Sequence, residues 1–138
     1  LVGVMIALAL RGESKETILF GAIKHLDGAA LAPKIAAIAK GEYRKKSREE
    51  IRGNGYVVNS LEAALWVFWQ TENYQQAVLD AVNLGEDTDT TAAVVGQLAG
   101  AFYGAEAIPA GWREKVALRE TIKDYALKLY EGRPDTST

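Results

Sequence analysis

Asp87, Asp89 and Thr90 set two carboxylates and a hydroxyl within four residues, inside the stretch GEDTDTTAAVVGQLAGAFYG that spans residues 85 to 104. Three hard oxygen donors at that spacing suit Mg²⁺, Mn²⁺ or Ca²⁺. They also suit a helix cap, because a carboxylate placed just before an apolar run accepts backbone N–H bonds and gains about 0.5–2 kcal/mol from them and from the helix dipole. A cap needs only one carboxylate, and this stretch offers two. An EF-hand loop starting at Asp87 would carry Gly at its sixth position and Glu at its twelfth, and these are Ala92 and Leu98, so that reading fails. A D-x-D-x-T phosphotransferase motif also matches Asp87, Asp89 and Thr91. That chemistry sits at the end of a buried parallel strand, however, and the segment before Asp87 has helical periodicity. The chain has no cysteine and one histidine. Thiolate metal sites and disulfides are therefore excluded, and His25, on an otherwise apolar segment, reads as a packed or surface residue.

The elements that must hold these residues read as helices throughout, and the expected fold class is all-α. Ten nearly apolar residues open the chain as LVGVMIALAL. They are too few to span a bilayer, which takes about 20, and they lack the basic start of a signal peptide. They read as a buried helix closed by Gly12, with the residues that cover its apolar face lying outside this chain. Ser14 is placed to cap a second helix running to about Leu26, and Pro33 suits the start of a third. SREE, from Ser47 to Glu50, has the capping-box pattern. Leu61, Ala64, Leu65, Phe68 and Trp69 fall on one helical face, and Tyr74, Ala77, Val78, Ala81 and Val82 repeat the spacing up to a stop at Gly85. Trp66, Phe68 and Trp69 read as core. GYVVN, residues 55 to 59, is the one piece that looks extended. Helices are expected again from about Thr90 to Tyr103 and from about Ala117 to Glu131. Gly96, Gly100 and Gly104 recur every four residues, which predicts a face where another backbone approaches closely.

The whole is 138 residues, 49% hydrophobic and 25% charged, ordinary for one globular domain. Sixteen basic against 18 acidic residues leave a net charge of -2. The basic residues form no stripe with interleaved aromatics, so neither nucleic acid nor a membrane is an expected partner. A reducing, cytoplasmic setting agrees with the lack of cysteine.

Residues 55 to 112, from GYVVNSLEAALWVFW through NLGEDTDTTAAVVGQLAGAFYG, resemble the C-terminal half of the ADP-ribosylglycohydrolase family, which includes the dinitrogenase reductase-activating glycohydrolase. LALRGES near the start fits the helix that precedes them. The resemblance extends over nearly the whole chain, which then reads as residues 1–138 of the C-terminal portion of a single domain with an orthogonal multi-helix fold. It implies a binuclear Mg²⁺ or Mn²⁺ centre that holds the distal ribose of ADP-ribose while the bond at its anomeric carbon is hydrolysed. The substrate would be an ADP-ribosylated protein or an ADP-ribosyl small molecule.

Carried over by the motif, the implied metal ligands are Asp87, Asp89 and Thr90, with Asp89 bridging both ions. Gly85 and Gly100 are implied to let backbone come close to the substrate, and Tyr56 and Asn59 to lie near it. The family's remaining ligands sit in an N-terminal Thr-Asp-Asp motif, and no Asp-Asp pair occurs in this sequence. The general base and the other ligands are thus expected from an N-terminal portion, on the same or a separate chain. The linkage cleaved is not legible, and an inactive relative kept for structure or ligand binding is the competing reading.

Overall fold

The computed structural model describes residues 1–25, 32–51, 57–84 and 88–132, and within these the side chains of 57–59 are left aside. Among the described residues every regular element is helical. The all-α expectation holds.

The chain divides into two compact units, residues 1–107 and 108–138. In the first, α1 (Val2–Leu10) and α2 (Lys15–Gly21) form a pair joined at Gly12, whose φ of +80° is the left-handed conformation a helix end favours in glycine. Ser14 caps α2, its side chain accepting from the Thr17 N–H at 3.2 Å. A short 3₁₀ turn (Ala22–His25) follows and ends on an exposed His25. Helix α3 (Pro33–Ala39) has its proline in the first turn, where the missing N–H costs nothing. After a 3₁₀ turn (Glu42–Lys45) comes the single turn α4 (Arg48–Ile51). Its capping box is made in full: the Ser47 N–H donates to the Glu50 carboxylate at 2.6 Å, and the Glu50 N–H to the Ser47 hydroxyl at 3.4 Å.

The longer helices α5 (Val57–Gln70), α6 (Tyr74–Val82) and α7 (Thr88–Tyr103) form the centre. Helix α7 packs against α1, α5 and α6. Asn73 caps α6 by accepting from the Gln76 N–H at 2.9 Å. Ala63 to Phe68 are buried almost all the way round α5, so this helix runs through the core rather than along its surface. Trp66 and Phe68 are buried and Trp69 packs edge-on to Phe20, which fits their reading as core.

Four expectations are corrected. Val57 to Asn59 belong to α5, not to an extended piece: two adjacent valines raise strand propensity, but that preference is weak beside helical packing. Helix α7 starts two residues earlier than the spacing suggests. Most of the apolar opening segment is packed within the chain, with Met5, Leu8 and Ala9 buried and Leu1, Val4 and Ile6 against the core, while Leu10 is exposed. And the glycine stripe meets a side chain rather than a backbone: a Cβ at Gly96 would sit 3.5 Å from the Tyr74 hydroxyl and one at Gly100 3.8 Å from Tyr74 Cε2, while Gly104 lies past the helix with φ +89°.

The second unit holds α8 (Ala110–Lys115) and α9 (Arg119–Glu131). Leu118, just before α9, takes a left-handed φ of 56° that is uncommon outside glycine and asparagine. No residue of α9 is buried. Among the described residues no helix is long and apolar enough to cross a membrane.

Candidate functional site

Asp89 and Thr90 occupy the first turn of α7, and both are exposed. Their direction is set by the core. Thr91, Val95, Leu98 and Ala99 are buried at 0, +4, +7 and +8, and at about 100° per residue Asp89 lies about 160° round the helix from Thr91. The packed stripe thus turns the acidic residue outward. Asp89 Oδ1 accepts from the Thr90 N–H at 3.0 Å, at the first turn of a sixteen-residue helix.

Of the residues singled out in the sequence, the structure brings these two together. Gly100 lies eleven residues further along the same helix, about 16 Å away on a rise of 1.5 Å per residue, against Tyr74. Asn59 lies on the backbone of α5. Asp87, Gly85, Tyr56 and the side chain of Asn59 lie outside the described residues.

A divalent cation fits the chemistry of this turn, since a carboxylate and a hydroxyl are hard donors. Among the described residues no three of His, Cys, Asp and Glu gather into a group able to hold an ion. Asp89 and Thr90 therefore do not complete a six-oxygen shell with described neighbours.

The far end of α7 is held by a residue that sequence reasoning missed. Lys15, in the first turn of α2, sends its ammonium to the C-terminal end of α5, donating to the Phe68 carbonyl oxygen at 2.8 Å and to that of Thr71. The same ammonium lies 4.8 Å from the Phe68 ring centre, 5.7 Å from Phe102 and 5.4 Å from Tyr103. The last two rings belong to α7. Tyr103 also donates its hydroxyl to the Thr71 carbonyl at 3.3 Å. A cation here neutralises the negative end of α5 and sits over aromatic faces, and both arrangements are favourable. Burial pushes the Lys15 pKa down, while Glu16 and Glu72 push it up. No local pattern could have revealed this staple, because the partners are 53 and 56 residues away.

A second aromatic group surrounds Phe20. The Arg44 guanidinium lies 4.0 Å from its ring centre, Trp69 meets it edge-on at 5.3 Å, and Tyr43 lies at 6.5 Å. Among the described residues the buried Tyr43 hydroxyl has no hydrogen-bond partner, and burial pushes its pKa well up.

Comparison with known proteins places this geometry. The profile of the family described as ADP-ribosylglycohydrolase matches residues 1–138. The ADP-ribosylarginine hydrolase Tri1 of Pseudomonas putida (strain GB-1) is 44% identical over 134 residues, covering 97% of this chain and 35% of that protein. The ADP-ribosyl-[dinitrogen reductase] glycohydrolase of Rhodospirillum rubrum is 35% identical over 68 residues, covering 49% of this chain and 23% of that one. A solved structure titled ADP-ribosylglycohydrolase-related protein complex superposes with a TM-score of 0.81 at 39% identity, over 94% of this chain and 44% of that chain. The chain thus spans about a third of the length of the Pseudomonas relative. A family match spanning residues 1–138 and the shared fold of the solved relative together establish that the chain belongs to the ADP-ribosylglycohydrolase family.

Proposed function

We propose that this chain is the C-terminal portion of a single ADP-ribosylglycohydrolase domain that hydrolyses, in the cytoplasm, the glycosidic bond at the anomeric carbon of ADP-ribose. The substrate is an ADP-ribosylated protein or an ADP-ribosyl small molecule. The observation that carries this reading is the exposed pair Asp89 and Thr90 on the first turn of α7, in a chain that the family model matches over residues 1–138.

Asp87, Asp89 and Thr90 would hold two Mg²⁺ or Mn²⁺ together with ligands from the remaining portion. Such ions supply charge neutralisation and hold the ribose hydroxyls in place. In the overall reaction water contributes its hydroxyl to the anomeric carbon, the bond to the leaving group breaks with its electron pair, and the leaving atom takes up a proton. Asp89 keeps its carboxylate outward through the packing of Thr91 and Val95. Tyr56, Asn59, Gly85 and Gly100 are assigned to the substrate side, and the general base to the remaining portion.

The test uses a chimera in which this chain replaces the matched 134 residues of the Pseudomonas putida hydrolase. With Mn²⁺ or Mg²⁺ it is expected to release ADP-ribose from an ADP-ribosylated protein. Asp89→Ala is expected to abolish release and weaken metal binding measured by calorimetry. Unchanged metal affinity in the variant would sink the ligand assignment. A folded, metal-loaded chimera without turnover on any ADP-ribosyl linkage would favour an inactive relative.

A further inference from the structure

Arg44 is exposed, yet its guanidinium is held in one place. The guanidinium carbon lies over the Phe20 ring, 4.0 Å from its centre, and Nε donates to the Gly41 carbonyl oxygen at 3.2 Å. The platform beneath is fixed in turn. Trp69 meets Phe20 edge-on at 5.3 Å, and the buried Tyr43 lies 6.5 Å away. Gly41 closes the turn: its φ is +77° and any Cβ there would run into the Phe20 ring, so only glycine suits the position. Stacking and the Nε bond leave the two terminal nitrogens of Arg44 without a hydrogen bond among the described residues, and no carboxylate there pairs with Arg44, Lys40 or Lys45. An ordinary surface arginine loses rotamer freedom when it binds. Here folding has already imposed that loss, and the fork is preorganised for two coplanar oxygens.

The surrounding charge narrows the ligand. The chain is weakly acidic as a whole, but eight of its sixteen basic residues fall within residues 24–52, against four acidic ones. Between positions 40 and 45, Lys40, Arg44 and Lys45 stand against one carboxylate, Glu42. Lys40 and Lys45 are exposed, whereas the next lysine, Lys46, is already paired with Glu62 at 2.8 Å. A lone carboxylate would use the fork and leave the excess charge unmatched. A phosphate dianion matches both, with two oxygens for the guanidinium and a further charge for the lysines.

We infer that the Arg44 guanidinium, seated on Phe20 with Lys40 and Lys45 beside it in the sequence, is a binding site for a phosphate group, either the free ion or a monoester. The site is built from residues of the first unit alone. The proposed hydrolysis uses none of them, so the two readings stand or fall separately.

The probes are inorganic phosphate and phenyl phosphate, with acetate for comparison, at constant ionic strength and at a pH where phosphate is a dianion. Chelator is present throughout, so that no anion collects on a metal held at Asp89. Binding is followed in this chain and in the chimera with the Pseudomonas putida hydrolase, by calorimetry and by the Nε–H resonance of Arg44, which is assigned by its loss in Arg44→Lys. Saturable binding of phosphate at millimolar concentration or below is expected. Arg44→Lys keeps the charge and loses the fork, and is expected to weaken binding at least about tenfold. Lys40→Gln and Lys45→Gln together are expected to weaken it about fivefold. Tighter binding of phenyl phosphate than of phosphate assigns the site to a monoester, and the reverse order to the free ion. Absence of saturable binding in both proteins overturns the inference. Equal affinity in Arg44→Lys does so too, because it reduces the effect to unspecific charge attraction, and acetate binding as tight as phosphate overturns the choice of ligand. Where Arg44→Lys lacks a cooperative urea transition, the double lysine variant decides, and unchanged affinity in it overturns the inference.

Discussion

The Lys15 ammonium sits 4.8 Å from the centre of the Phe68 ring and donates, at 2.8 Å, to the carbonyl oxygen of that same residue. One side chain from α2 thereby ties the last turn of α5 to the aromatic end of α7, at the opposite end of the helix from Asp89.

Lys15→Met keeps the apolar stem and removes the donor. It leaves the Phe68 carbonyl without the ammonium and the Thr71 carbonyl with Tyr103 alone. A loss of about 1.5–3 kcal/mol is expected, the range for hydrogen bonds to charged groups. It is measured as a lower urea midpoint at unchanged slope. A midpoint equal to that of the parent would show that the ammonium contributes nothing net.

Tyr43→Phe should act in the opposite direction. The hydroxyl is buried with no partner among the described residues, so its desolvation cost goes uncompensated there. Its removal is expected to be neutral or to stabilise by up to about 1–3 kcal/mol. A thermal midpoint several degrees lower would mean that the hydroxyl is bonded in solution.

Stability should also fall as pH climbs past 10. Burial raises the pKa of Tyr43, Tyr74 and Tyr103 above the ordinary value of 10.0, with Glu72 adding to the shift at Tyr103. Between the unfolded and folded values the native chain holds more protons than the unfolded one, so each rise in pH favours unfolding. Lys15 works the other way below 10.5, because its folded value is lowered and the unfolded chain binds the extra proton. Urea midpoints from about pH 9 to 11.5 are expected to drop at the upper end, and Tyr43→Phe to flatten that drop. An equal drop in the variant would remove Tyr43 from the cause.

Two glycines should respond in opposite senses to alanine. At Gly41, φ is +77° and an added Cβ would stand 2.4 Å from two carbons of the Phe20 ring, which Arg44 and Trp69 hold in place. Left-handed strain and overpacking together predict a loss of about 2–4 kcal/mol. At Gly100 the added Cβ stands 3.8 Å from Tyr74, an ordinary contact, and alanine gains up to about 1 kcal/mol in helix propensity. Gly100→Leu should cost about 1–3 kcal/mol, because the bulk beyond Cβ has to displace the Tyr74 ring. Denaturation midpoints of the three variants check the order, and a stable Gly41→Ala would contradict the geometry around Phe20.

Much of this was legible in the sequence where the governing physics is local. Ser14, Pro33 and the Ser47 and Glu50 box announce helix starts because capping involves residues three apart, and the spacing of Leu61 to Phe68 announces a core face because the period is fixed by the helix. The Val57 and Val58 pair misleads for a related reason: β-branching is a local preference, and the packing that overrides it is not. Lys15 is illegible because its acceptors are brought near only by the fold. The Asp89 and Thr90 pair was legible as a donor set, but the outward turn of Asp89 depends on which α7 residues are buried.

Helix α7 packs against α1, α5 and α6 and also carries the acidic turn. Its residue count therefore behaves as an inherited constant. One residue inserted between Thr91 and Val95 would swing the preceding turn by about 100° and shift it by about 1.5 Å, carrying Asp89 off its bearing while every side chain kept its identity. Substitution at the exposed Ala93 and Gln97 carries no such penalty. Lineages sharing this architecture are free to drift at the exposed positions of α7 but not in its length, so gaps in that helix are a sharper sign of lost chemistry than replacements at those positions.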